Sequence, residues 1–331
     1  MVNAAALIAV YLQTSIALTA ALEQQPPPKT ADGAAAASGF DYDDLSLREV
    51  GARNTRAWRV WLEKKGQPIS FWHDVPLWPD GADKQIVSFV VEIPRWTDAK
   101  LEIRRDEPMN PLFHDTKKKE PRFVESVWPH KSYPFLYGSI PQTWENPNVH
   151  HNFTGFPGDN DPIDLFDIGQ DIGYVGQVKQ VKVLGGLAIA DSLTLHMPPR
   201  PAHQDLEKYR PGLAAAFRDW FTYYKVPRGD AVIPIAGDGG YQDVAHAVAV
   251  LEQGHAWWAE LTRGDAVDAN EINYNQTSNP AAAGSYVRSD AAAAKFGIPG
   301  ESAVELPAAK PEKYERWYYL DSDKKLIEIP E

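Results

Sequence analysis

The chain has 331 residues, 44% of them hydrophobic, 11% aromatic and none cysteine. That is apolar mass enough for one large domain or two ordinary ones, and it excludes disulfides, thiolate nucleophiles and cysteine zinc sites. Lys plus Arg number 33 against 45 Asp plus Glu, a formal net charge of -12, which speaks against nucleic acid as partner and against binding small anions without intervening cations.

Residues 1–22, MVNAAALIAVYLQTSIALTAAL, are mostly apolar and uncharged. They read as a signal peptide or weak anchor, with Ala17, Thr19 and Ala21 as small residues before a cleavage point, or as a disordered or organellar extension. Two sequons, Asn152-Phe-Thr154 and Asn275-Gln-Thr277, are compatible with secretion. EQQPPPKTADGAAAASG (23–39) follows as a flexible linker. Residues 1–41 are therefore expected to be extension and linker, with the folded body at 42–264 and an irregular tail at 265–331.

The body opens on strand patterns. RAWRVWLEKK (56–65) puts Trp58, Val60 and Leu62 on one face. IVSFVVEIP (86–94) is a β-branched, aromatic run stopped by Pro94, and AKLEIRR (99–105) alternates. GYVGQVKQVKVLGGLAIAD (173–191) predicts two strands bent at Gly185-Gly186. Many short strands with frequent turns predict a barrel or sandwich. Helices follow, one in 206–226 starting after Pro211, and one over 241–264. The second carries Val244, Val248, Leu251, Trp258 and Leu261 at helical spacing, with Gly264 as its stop.

PGDNDPIDLFDIG (157–169) places Asp159, Asp161, Asp164 and Asp167 within nine positions. Asp, Asn, Pro and Gly are turn formers, so taken alone this is a turn. It is not an EF-hand, because Asp164 stands where the glycine belongs. Yet carboxylates that converge repel one another until cations neutralise them, and hard oxygen ligands suit Mg²⁺ or Mn²⁺. Lys100 and Glu102 share a strand face, a spacing that also describes an ordinary surface ion pair. Arg122, Tyr133, Tyr137, Tyr224 and Lys225 are residue types that grip phosphate oxygens or simply pack. There is no phosphate-binding glycine loop, dinucleotide fingerprint, H-E-x-x-H or G-x-S-x-G.

The run GDNDPIDLFDIG resembles the signature of soluble family I inorganic pyrophosphatases of eukaryotic type. VVEIPRWTDAKLEI, NPLFHDTKKKEPRFV, YGSIPQTWENPNV, GQVKQVKVLG and DWFTYYKVP match that family in order. The agreement covers roughly residues 48–262, and WYYL near the end echoes the family's aromatic tail. The resemblance implies a mainly β, α+β fold: an OB-like five-stranded barrel with flanking helices, as a homodimer. It implies Mg²⁺-dependent hydrolysis of inorganic pyrophosphate, with Mn²⁺ as a substitute and no nucleic-acid or membrane partner beyond an N-terminal signal or anchor. Residue by residue, Asp159, Asp164, Asp191, Glu102 and Glu92 match metal-binding carboxylates, and Asp161 matches the carboxylate that takes the proton from water. Tyr133 matches a further active-site tyrosine. Lys100, Arg122, Tyr137, Tyr224 and Lys225 match phosphate-gripping residues. The family default is cytoplasmic, whereas residues 1–22 point to a secretory or organellar route.

The match breaks after Asp191. DSLTLHMPPRPAHQDLEKYRPGL (191–213) is about a dozen residues shorter than the family pattern and lacks a metal-binding aspartate and a substrate lysine. Three expectations follow: a mispredicted splice junction or frameshift in an active enzyme's gene, rescue by Asp205, or a catalytically impaired metal- and phosphate-binding protein.

Overall fold

The computed structural model describes residues 39–327 except 80, 82, 152, 190–191, 196–207, 209, 236–239, 267–270 and 283; for 192–195 it describes the backbone only. The leader, most of the linker, Asp191 and Asp205 lie outside the described residues.

Two six-stranded sheets carry the body. In the first, Leu45–Ala52 runs antiparallel to Arg59–Lys64, which also pairs with Gln67–Ile69 and Leu112–His114. Leu101–Ile103 forms one edge, and Ala303–Glu305 adds in parallel beside Leu45–Ala52. As the alternation predicts, Trp58, Val60 and Leu62 enter the main core. Trp61 on the opposite face is buried in a second cluster with Met109, Val287, Ala292 and Ile298.

The second sheet runs Val178–Lys182, Ile86–Ile93, Leu136–Ser139, Asp164–Asp167, Ser192–Leu195, Leu187–Ile189. Ile86–Ile93 is a central strand buried on both faces, hence its mostly apolar, β-branched composition, interrupted by the buried Ser88 and Glu92. The expected bend at Gly185-Gly186 separates Val178–Lys182 from Leu187–Ile189. The fold is mainly β with helices. Among the described residues the pairings do not close into the expected five-stranded ring.

Helix Leu213–Tyr223 buries Phe217, Trp220 and Phe221, which pack on Phe135 with ring centroids 5.0–5.2 Å away. Helix Val244–Arg263 starts where Asp243 accepts the His246 amide and stops at Gly264, whose φ of 79° suits glycine. Its core face is Ala247, Val250, Leu251, Gly254 and Leu261; of the residues the spacing named, Leu251 and Leu261 are buried and Trp258 packs against the core, while Val244 and Val248 are only half-buried. Small residues at 247 and 254 let the helix approach closely; a Cβ at Gly254 would stand 2.6 Å from Ile163 Cδ1.

The tail expected to be irregular contains a helix, Ser289–Phe296, and the strands Ala303–Glu305 and Trp317–Tyr318. Buried Asp74 ties it down, accepting the amides of Thr277 (2.7 Å), Ser278 (2.8 Å) and Ser70 (2.8 Å).

Candidate active site

The aspartate loop is a turn in backbone terms, built against the segment Trp144–Asn146. Asp159 Oδ1 accepts the Asp161 amide at 3.2 Å, and Asn160 takes a φ of 76°, which asparagine tolerates. The Asn160 amide carbonyl accepts the Trp144 indole N–H at 3.0 Å. Two backbone bonds stitch loop to segment: Glu145 N to Asp161 O (2.9 Å) and Asn160 N to Glu145 O (3.0 Å). Gly158 is required there, since a Cβ would meet the Glu145 carbonyl at 2.3 Å.

Strand register gathers the next carboxylates. Ser139 pairs directly opposite Asp164, and its hydroxyl donates to Glu92 on the neighbouring strand. Glu92 also accepts the Ile103 amide at 3.0 Å, linking the two sheets. Tyr137 donates to Asp164 at 2.5 Å. The register shifts between Tyr137 and Gly138. Only glycine fits at 138, where a Cβ would lie 2.0 Å from Val90 O.

Opposite stands a basic and phenolic wall. Lys100 N bonds Arg122 O at 2.9 Å, placing both side chains on one edge. Lys100 Nζ sits 3.1 Å from Glu102 and 4.7 Å from the Tyr137 ring centroid. Asp115 holds Arg122 at 2.7 Å. Tyr224 stacks on Trp220 at 4.4 Å, Trp220 packs on Tyr133 at 4.9 Å, and Tyr133 lies 5.3 Å from Tyr137. Lys225 follows Tyr224 at the helix end.

The electrostatics divide the cleft. Burial, against a partly compensating Lys100, pushes Glu92 up to about 8. Desolvation and the Asp159 and Glu102 charges raise Asp161 to about 8, against the pull of Arg105. Asp164 rises to about 7 through desolvation, opposed by Lys100, with Asp159 adding to the rise. Asp159 is raised by its protein surroundings and by Glu102, although water reaches it at the open cleft mouth. Burial works against the Glu102 carboxylate, yet Lys100 and Arg122 lower its pKa and keep it ionised. Burial likewise opposes the Lys100 charge, but Glu102, Tyr133 and Asp164 hold its pKa well above the usual lysine value. On the far side, burial and the cations Arg228, Arg122 and Lys100 bring Lys225 down to about 8. One wall is thus an excess of carboxylates and the other an excess of cations.

Every described residue of the expected set falls in this cleft: Glu92, Lys100, Glu102, Arg122, Tyr133, Tyr137, Asp159, Asp161, Asp164, Tyr224 and Lys225. Asp167 does not take part; it pairs with Lys179 at 2.9 Å. Three residues were missed. Arg105 bonds Asp161 at 2.9 Å, Asp115 orients Arg122, and Glu145 lies buried against Asp159. Arg105 was within sight, three residues beyond Glu102; Asp115 and Glu145 carry no spacing signal. Hard carboxylate oxygens, crowded together and chiefly desolvated by burial, fit a divalent cation chemically. Among the described residues no three acidic or histidine side chains converge as a finished ligand cage, since Asp161 is drawn to Arg105 and Asp164 to Tyr137.

Residues 89–259 match the family model for inorganic pyrophosphatase. The chain belongs to the inorganic pyrophosphatase family. It is 41% identical over 288 residues to the inorganic pyrophosphatase of Zygosaccharomyces bailii, covering 83% of this chain and 98% of the relative. The Eremothecium gossypii inorganic pyrophosphatase is 41% identical over 289 residues, with the same coverage. Among solved structures, the inorganic pyrophosphatase from Schistosoma japonicum superposes with a TM-score of 0.73 at 33% identity, covering 83% of this chain and 99% of that one. The family is metal-dependent.

Proposed function

We propose that the chain hydrolyses inorganic pyrophosphate to two phosphates with Mg²⁺ as cofactor, Mn²⁺ serving in its place. The observation that carries this reading is the divided cleft: crowded carboxylates, suited to metal, face crowded cations, suited to phosphate. Asp159 and Asp164, with Glu102 and Glu92, would hold the metal, and Asp191 is assigned with them from the family match. When bound, the cations neutralise substrate charge and acidify a water. Asp161 would accept the proton of the attacking water, and Arg105, 2.9 Å away, steadies that carboxylate. Arg122, held flat by Asp115, offers a fork to phosphate oxygens; Lys100 and Lys225 add point charge, and Tyr137 and Tyr224 donate hydroxyls. Tyr133 lines the buried floor beneath them. Water adds to one phosphorus, the bridging P–O bond breaks, and each phosphate leaves toward the cationic wall. The test is phosphate release from pyrophosphate by Asp161→Asn. With Mg²⁺ saturating, turnover should fall roughly 10²–10⁴-fold, the range of a lost general base; unchanged turnover would remove Asp161 from the role.

Two finer features belong to the same reading. The sheets are proposed as halves of an OB-like barrel, supported by the Glu92 bond to Ile103 that joins them. A homodimer is proposed on the exposed aromatic patch at Trp128, which is 58% exposed beside Trp317 and Tyr319. Sedimentation equilibrium should give twice the chain mass, and a monomer at micromolar concentration would contradict it.

A further inference from the structure

Arg122 follows a hairpin too small to aim it. Thr116–Lys117 and Glu120–Pro121 pair over two residues each, and Lys117, Lys118, Lys119 and Glu120 are exposed. Pro121 has no N–H to add to the ladder. The guanidinium is fastened at one end, where Asp115 holds Nη1 at 2.7 Å, and its buried Nε has no hydrogen-bond partner among the described residues. What fixes the residue is its main chain. Arg122 N donates to Asp115 O at 2.8 Å, and Arg122 O accepts Lys100 N at 2.9 Å. The same carbonyl oxygen faces His114 Nε2 at 2.7 Å. A carbonyl can only accept, so Nε2 carries the imidazole proton and Nδ1 is a bare lone pair. The surroundings agree. His114 is 1% exposed, and its buried Nδ1 has no hydrogen-bond partner among the described residues. A proton on Nδ1 would be an unsatisfied buried donor, so the site selects the neutral Nε2–H tautomer. The Phe123 ring meets the imidazole edge-on at 4.8 Å and holds its orientation.

We propose that His114 is a positioning residue for phosphate binding: its Nε2–H, through the carbonyl it shares with Lys100 N, sets the direction in which Arg122 presents its guanidinium. The inference rests on the reading of Arg122 as a phosphate-gripping residue and extends it to a side chain that touches neither substrate nor metal. Without that donor, the carbonyl keeps only the Lys100 amide, and the chain leaving the short hairpin is free to tilt. A shift of about 1 Å is enough to spoil the aim of a bidentate fork. Asp159, Asp161 and Asp164 stand on the aspartate loop and its strand, which His114 does not bond, so the carboxylate wall keeps its place.

The experiment measures binding of imidodiphosphate, a pyrophosphate analogue with nitrogen in the bridge, to the full chain in Mg²⁺, beside steady-state hydrolysis of pyrophosphate. His114→Leu fills the space without a donor. It should weaken analogue binding and raise KM roughly three- to tenfold, the size of one buried hydrogen bond. Its kcat should change by about twofold at most, as expected when binding is lost equally from ground and transition states, and Mn²⁺ affinity of the substrate-free chain should match the wild type. His114→Gln, whose amide brings a donor to similar reach, should recover most of the loss. Damage to packing alone would lower Mn²⁺ affinity as well and would not separate Gln from Leu. A folded His114→Leu that binds the analogue as the wild type does, or a His114→Gln no better than His114→Leu, overturns the proposal. Should His114→Leu not fold, nitrogen-15 NMR of the wild-type imidazole decides: the proton is expected on Nε2, and a proton on Nδ1 overturns it. A wild type that binds no imidodiphosphate in Mg²⁺ overturns it together with the phosphate reading of the cleft.

Discussion

Asp161 and Glu92, at about 8, and Asp164, at about 7, hold their protons far above where free Asp (3.8) and Glu (4.5) release them. The folded state therefore binds more protons than the unfolded chain between those values. Their contribution to stability is complete below the unfolded pKa and is lost as pH rises through the folded one. Buried His73, brought down to about 3 by desolvation, acts in the opposite sense only below the ordinary histidine range. Lys225, lowered to about 8, opposes the carboxylates above that pH. Without metal, Tm should fall from about pH 4.5 to about pH 8, most plainly above the histidine range where His73 no longer opposes it, and stop falling beyond. The fall is shallow, because water reaches Asp159 and Asp161 and screens them. Saturating Mg²⁺ should flatten it, since a bound cation keeps the carboxylates ionised. Differential scanning calorimetry with and without chelator reads both curves; a metal-free Tm that rises across this window would contradict the assignment.

Among elements, the site depends on two close approaches that only glycine permits. Gly138 lets Leu136–Ser139 lie against Ile86–Ile93, and Gly158 lets the aspartate loop lie against Glu145. Gly158→Ala would drive a Cβ to 2.3 Å from the Glu145 backbone, and backbone cannot rotate aside as a side chain can. The loop must shift, at a cost of about 1–3 kcal/mol, and Mg²⁺ affinity should drop with it. Urea unfolding in chelator measures the first effect; an unchanged midpoint and slope would show that the loop has room to spare. Neither glycine's necessity was legible beforehand, because each depends on a partner strand or segment that sequence spacing does not name. The strands themselves were legible where composition was decisive, as in IVSFVVEI. Helix Val244–Arg263 was legible in extent and its buried face in part: Leu251 and Leu261 are buried as the spacing predicts, while Gly254 carries a close approach to Ile163 that no apolar stripe announces.

Across the whole molecule, a chain of net charge -12 would repel a polyanion everywhere except where cations are concentrated, which makes the cleft's division of charge the centre of its function. The ordered motifs between residues 90 and 225 point to the carboxylates, the arginine, the lysines and the tyrosines, and the fold brings the described ones together. Arg105, Asp115 and Glu145 escaped because their parts arise from long-range packing against Asp161, Arg122 and Asp159. The stretch after Asp191, shorter than the family pattern, makes activity the decisive question. Phosphate release from pyrophosphate by the purified 331-residue chain, in Mg²⁺ and again in chelator, asks it directly. Sustained turnover in Mg²⁺ that disappears in chelator is the result expected of this cleft. Binding of pyrophosphate and Mg²⁺ without turnover would contradict it and leave a metal- and phosphate-binding protein that has lost its chemistry.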